Sequence, residues 1–241
     1  MSRTRRKTKE ESFIDNLEHS LFNVNHYRID IIIDYLYAFE KFLIDKTSEI
    51  QDKISEWQNS EKEQKYSGVD YYINDYTNYN SNFKKLKLES TFLSSYSVFE
   101  HHFKSFSEIY TEFYSLKIKI DDLSGNNYIN KSKQYLEKVI NLDLKDLNNT
   151  WREITKYQRI RNKIVHNNAR FNPKEKETIN ELSKLNGIEI NSFGLINITD
   201  KEFIFNFWNL FNDYMNGIIK LTETKIKTTP NNVYSSLRLN S

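Results

Sequence analysis

Residues 92–113 read FLSSYSVFEHHFKSFSEIYTEF. Within them Phe92, Tyr96, Phe99, Phe103, Phe106, Tyr110 and Phe113 alternate spacings of four and three. An α-helix has 3.6 residues per turn, so these positions fall on one face. A stripe of aromatic rings of this length predicts a core-facing helix over residues 81–118, because helix packing explains it without a cofactor. The composition around it agrees. The chain has 241 residues with 5 Gly, 2 Pro and no Cys. So few turn-formers exclude a sandwich, a barrel or a glycine-looped nucleotide fold and leave long helices with few connections. Hydrophobic residues make up 38% of the chain and aromatic ones 15%. Those rings supply a core despite the polar average.

The absence of Cys excludes disulfides, thiolate zinc sites and Cys nucleophiles together. No window approaches the ~18 apolar residues of a membrane span. The N-terminus is basic (Arg3, Arg5, Arg6, Lys7, Lys9) but runs straight into Glu10 and Glu11. No apolar segment follows at signal-peptide spacing, so a cytoplasmic protein without membrane contact is expected.

Residues 1–9 read as a flexible basic arm. Residues 10–64 are helical in pattern, as one very long helix or two. Phe13, Leu17, Leu21 and Val24 form one stripe, and Ile32, Tyr35, Phe39 and Phe42 continue it after a change of phase. Residues 65–80, rich in Tyr and Asn, read as a connection and complete an N-terminal helical extension over 10–80. A turn at 121–130 precedes a short helix at 131–140, and a further helix occupies 148–167. Pro173 is placed to open the first turn of another helix that ends near Gly187. Ile188 and Ile190, the turn Ser192-Phe193-Gly194, and Leu195, Ile196 and Ile198 predict a small β-hairpin. Thr199 or Asp200 then caps a last helix with Phe203, Phe207, Leu210, Tyr214, Ile218 and Leu221 on one face. Residues 228–241 lose the period and read as a tail.

The sequence LNNTWREITKYQRIRNKIVHNNARF, from Leu147, departs from its own pattern. On a helix Leu147, Trp151, Ile154, Tyr157, Ile164 and Val165 fall within an arc of roughly 140°, and Arg161 projects into its middle. A guanidinium there needs an acidic partner, a hydrated subunit interface or an anionic ligand, since an unpaired buried ion is costly. Glu100, beside the aromatic stripe, is the candidate partner if the role is structural. His166 lies five residues on, on the same side as Asn162 and Arg159, at a helix end that Asn167 and Asn168 are placed to cap. Between Asn148 and Lys174 stand Arg152, Lys156, Arg159, Arg161, Lys163, Arg170 and Lys174 against Glu153, a local surplus in a chain of net charge +2. Such a run is commonly a solvated face; around an Arg/His pair it also suits a phosphodiester.

Arg161-Asn162-Lys163-Ile164-Val165-His166 resembles the R-x4-6-H motif of the HEPN superfamily in its Arg-Asn-x-x-x-His form. The helix start near Trp151, the following Asn-Asn, the upstream Ser97-Val98-Phe99-Glu100 and the KSKQYLEKVINLDL segment extend the resemblance over about residues 85–225. It implies an all-α, HEPN-like up-and-down bundle at 81–227, with the N-terminal helical extension and the hairpin added. It further implies a metal-independent endoribonuclease, a toxin or antiviral-defence effector, that needs no cofactor. Two protomers would pair their motif helices as a homodimer with a composite site for RNA, and an antitoxin or sensor protein is the further partner that such effectors carry. In that reading Arg161, Asn162 and His166 are catalytic. Arg159, Lys163, Asn167 and Arg170 bind substrate, and Glu100 supports them. The alternative within the family is a silent module that binds RNA, a nucleotide or a partner protein. Outside it stands an all-helical interaction protein whose motif is coincidence. The members paired with nucleotidyltransferase antitoxins carry Tyr two residues after the His. Here that position is Asn168. His101-His102 beside Glu100 is the nearest approach to a metal-ligand cluster, and adjacent helical residues diverge by about 100°.

Overall fold

The computed structural model describes residues 6–59, 67–125 and 127–228. The expected tail and most of the basic arm therefore lie outside the described residues, apart from Arg6 to Lys9 and Thr228. The chain is all-α with one small hairpin, as expected. Helix α1 (Lys9–Val24) opens with Thr8 and Glu11 in a reciprocal capping box, which satisfies two orphan backbone donors. A π-helical turn (Asn25–Ile29) leads into α2 (Asp30–Gln58). Helix α3 (Ser67–Thr77) passes through a second π turn (Asn78–Asn82) into α4 (Phe83–Tyr114). After α5 (Tyr128–Gln134) come α6 (Asn148–His166), α7 (Lys176–Leu182), strands β1 (Ile188–Ile190) and β2 (Ile196–Ile198), and α8 (Glu202–Thr228). No helix among the described residues is long and apolar enough to cross a membrane.

Two expectations about the N-terminal region need correction. Residues 67–80, expected as a connection, are helical and continue into α4. The inward face of α2 is also one residue further along than its aromatic pattern suggests. Leu36, Leu43 and Ile50 are buried, whereas Tyr35 and Phe42 are 48% and 43% exposed. Ile32 and Phe39 are half-buried. The π turn explains the shift. It inserts one extra residue, so buried positions jump from Val24 to Ile29 and every later position rotates by about 100°.

The chain divides into two compact units. The first comprises Met1–Ile29, Tyr96–Gln158 and Phe207–Ser241. Its core is aromatic. Phe99, Phe103, Phe106 and Tyr110 of α4 are wholly buried, as are Phe207, Phe211 and Tyr214 of α8. The ring of Phe99 meets Phe211 edge-on at 5.2 Å and Phe103 in parallel at 5.8 Å. Phe13 of α1 stacks on Phe113 at 3.9 Å. Two buried hydroxyls pair there, those of Tyr110 and Thr222, 2.6 Å apart. Gly217 of α8 allows a close approach, because a Cβ there would come within 2.5 Å of Leu147 Cδ2.

The second unit comprises Asp30–Ser95 and Arg159–Asn206. Its core gathers Leu36, Leu43 and Ile50 with Leu88, Phe92, Ile160, Phe171, Leu182, Ile188, Ile196, Ile198 and Phe203. Strands β1 and β2 pair antiparallel, with Glu189 opposite Asn197. Asp200 opens α8 by accepting the Glu202 amide at 2.8 Å. Pro173 sits in a turn ahead of α7 and not inside its first helical turn. Glu40 joins Lys201 at 2.8 Å and the buried Lys87 at 3.8 Å. Those two ammonium groups hold the Glu40 carboxyl below its ordinary range, the Lys201 hydrogen bond being the larger cause.

Two stability measurements follow from the first unit. Phe103→Ala removes a fully buried ring and should cost about 3–5 kcal/mol in chemical denaturation. His102, only 7% exposed, has its pKa pushed down to about 4 from 6.5, by burial and then by the neighbouring His101. Between those values the unfolded imidazole binds a proton that the folded one refuses, so stability falls as pH falls. About 2 kcal/mol should be lost between pH 7 and 5 through this group, and His102→Leu should flatten the slope.

Candidate functional site

Helix α6 brings the candidate residues to its carboxyl end. Ile154, Tyr157 and Ile160 are buried, while Leu147, Trp151 and Ile164 are half-buried. Val165, expected inside, is 47% exposed, and Ile160, absent from the expected stripe, takes an inner position. Arg161 is consequently half-exposed at a surface and not in the middle of a buried arc. The physical reason is that the last two turns are covered on the Ile160–Ile164 side alone. The large desolvation penalty inferred for this guanidinium is therefore not incurred.

Arg161 Nη1 donates to Asn162 Oδ1 at 3.1 Å. Five residues on a helix separate two side chains by about 140° and roughly 7.5 Å, so Arg161 and His166 leave the helix in different directions. Asn162 is four residues before His166 and only about 40° away. Its contact with Arg161 therefore turns the guanidinium towards the His166 side. His166, Asn162, Asn167 and Arg170 are exposed. Glu100 lies on α4, half-buried, in the first unit.

The basic run is less available than its count suggests. Arg159 pairs with Glu181 at 3.1 Å, and Lys163 with Glu175 at 2.9 Å. Lys163 Nζ also stands 4.9 Å over the Phe171 ring. The Lys163 hydrogen bond, followed by the Asn172 backbone amide, draws the Glu175 carboxyl below its ordinary range. Both acids fall just beyond Lys174, on or next to α7, which is why a window ending there overstated the surplus. Among the described residues, no group of three or more His, Asp or Glu side chains is placed to hold a metal ion.

What holds the helix end was missed in the sequence. Asn167 and Ala169 amides both donate to Lys163 O at 3.0 Å, and Asn168 and Ala169 adopt positive φ of 50° and 55°. Asn167 and Asn168 thus end the helix as expected, with Asn168 in the left-handed region that Asn tolerates. The chain then runs beside the hairpin. The Phe171 amide donates to Gly194 O at 2.9 Å, and the Ile196 amide to Ala169 O at 2.7 Å. Gly194, read only as part of a turn, has φ +76°, and a Cβ there would lie 2.3 Å from Phe171 O. The single glycine inside an isoleucine hairpin was the available signal.

Gly194→Ala should therefore loosen the strap after His166. Its strained φ and the clash together should cost about 2 kcal/mol or more. Faster hydrogen exchange at the Phe171 and Ile196 amides would locate the damage. No family model matches the chain, and no match was found among the curated proteins or the solved structures.

Proposed function

We propose that the chain is a metal-independent endoribonuclease of the HEPN type, acting as a homodimer. The observation that carries the reading is that Arg161, bound to Asn162, stands at the surface in the last turns of α6, which end at the exposed His166. The resemblance of this hexapeptide to the HEPN motif supports the same reading. In one protomer Arg161 and His166 diverge, so two copies facing each other across α6 would bring an Arg161 from each to a shared phosphate. Exposed Val165 beside half-buried Ile164 suits a self-complementary contact at that place. By analogy the biological role is that of a toxin or an antiviral-defence effector.

His166 acts as general base on the ribose 2′-hydroxyl, or as general acid on the leaving 5′-oxygen. The 2′-oxygen bonds to phosphorus and the bond to the 5′-oxygen breaks. The products are a 2′,3′-cyclic phosphate, or its opened 3′-phosphate, and a 5′-hydroxyl. Arg161 neutralises charge on the phosphoryl oxygens as it develops, and a guanidinium suits them through its fork of donors. Asn162 orients Arg161. Arg159 and Lys163 would have to leave Glu181 and Glu175 to touch substrate, so Arg170 and Asn167 are the better placed of the four binding candidates.

Incubation with total RNA and tRNA in EDTA should give fragments with cyclic or 3′-phosphate ends. His166→Ala should lower the rate by about 100-fold to 10,000-fold with the fold intact. A dependence on divalent cations, or full activity in His166→Ala, would sink the reading. Salt-sensitive RNA binding without product would favour the silent module instead.

A further inference from the structure

A groove between α1 with its π turn and α4 lies wholly inside the first unit, and the candidate site makes no use of it. It is open to solvent along its length and offers about 800 Å³. Val24, Val98, Ile109 and His102 are among the side chains that line it. His102 Nε2 has no hydrogen-bond partner among the described residues, and burial keeps its ring neutral at pH 7. These four thus present apolar or uncharged surface. Polar side chains, Asn23 and Ser20 among them, line the groove as well. Arg28 and the imidazoles of His19 and His101 line it too, with Glu112 as the acidic member. Arg28 has no ion pair among the described residues.

Beside the groove runs a ladder of rings along α1 and its π turn. His19 lies 6.5 Å from Phe22 at 17°, and Phe22 lies 5.7 Å from His26 at 20°. Tyr27 meets His26 edge-on at 4.8 Å. Phe22 and Tyr27 are 59% and 60% exposed, so core packing does not account for them. His19 and Tyr27 belong to both ladder and groove. Nearly parallel exposed rings beside a groove that carries a guanidinium are an arrangement by which proteins hold unpaired bases, since every base offers a π face and every linkage a phosphate.

The geometry points to this groove and its ring ladder as a binding site for nucleotide units, with bases stacked on Phe22 and Tyr27 and a phosphate on Arg28. The amide of Asn23 and the hydroxyl of Ser20 offer hydrogen bonds to base edges. The same chemistry serves a free nucleotide or an unpaired strand. The inference stands apart from the cleavage reading, because binding needs no 2′-hydroxyl.

The test is fluorescence anisotropy on the full chain with a labelled 2′-O-methyl oligonucleotide of about twelve unpaired nucleotides, within the span of known single-strand sites. This probe cannot react through its 2′-oxygen, so failure of the groove and failure of the ribonuclease reading are seen separately. Phe22→Ala combined with Tyr27→Ala should weaken Kd roughly tenfold or more. Arg28→Ala should weaken it several-fold and reduce the slope of log Kd against log salt by about 0.7. All three side chains are exposed, so thermal melts should match wild type. Displacement of the probe by a nucleoside monophosphate, lost in the same variants, would assign the site to free nucleotides; no displacement would assign it to the strand. Equal Kd in wild type and variants, equal binding of a perfect duplex, or no binding by wild type would overturn the proposal. It would also be overturned if the ring variants changed the oligomeric state without nucleic acid, which would make this face a contact between copies.

Discussion

Ring-on-ring packing between α4 and α8 is the constraint on which the first unit depends. Phe99 touches Phe103, Phe207 and Phe211, and Phe103 continues the contact to Tyr214 and Trp151. Aromatic side chains bury 150–250 Å² each, so a few of them replace the larger number of aliphatic residues this polar chain lacks. The same rings bring hydroxyls into the core, and the Tyr110–Thr222 pair shows how one is satisfied. Gly217 removes a side chain where α8 must come close to Leu147.

In the second unit the corresponding constraint is backbone pairing. The segment after α6 is held to the hairpin by the Phe171–Gly194 and Ile196–Ala169 hydrogen bonds, and an isolated bridge joins Arg170 to Leu195. That strap anchors the chain just after α6, whose end is closed by the Asn167 and Ala169 amides on Lys163 O. Lys163 reinforces it through Glu175, whose Oε2 also accepts the Asn172 amide. Part of the basic character of α6 thus serves to hold the helix end in place. The cations that remain turned to solvent are fewer than the charge count suggests.

The period of four and three in 92–113 was legible because every ring but the last, half-buried Phe113, is buried. The hairpin was legible because alternating isoleucines around a glycine turn have few other uses. The motif helix was legible in extent, ending at His166 as the two asparagines indicated. Its burial was not. Periodicity places Arg161 and Val165 on the apolar side, yet whether a side is covered depends on neighbours hundreds of atoms away in sequence. The α2 face failed for a different reason. The change of phase between the two apolar stripes did not identify a π turn, whose one extra residue moves Leu36 inward and Tyr35 out.

By itself, the sequence determined the helical class, the hairpin, the end of the motif helix and the presence of an Arg-Asn-x-x-x-His hexapeptide, because caps, turn residues and periodicity are local. Only the tertiary structure decided that Arg161 sits at a surface bound to Asn162, and that Glu175 and Glu181 neutralise two of the cations. It also decided that Gly194 holds the strap and that α1 and α4 border a groove. The two ion pairs, the strap and the groove join residues distant in the chain, formed once the core has chosen which faces meet, and no local pattern encodes them.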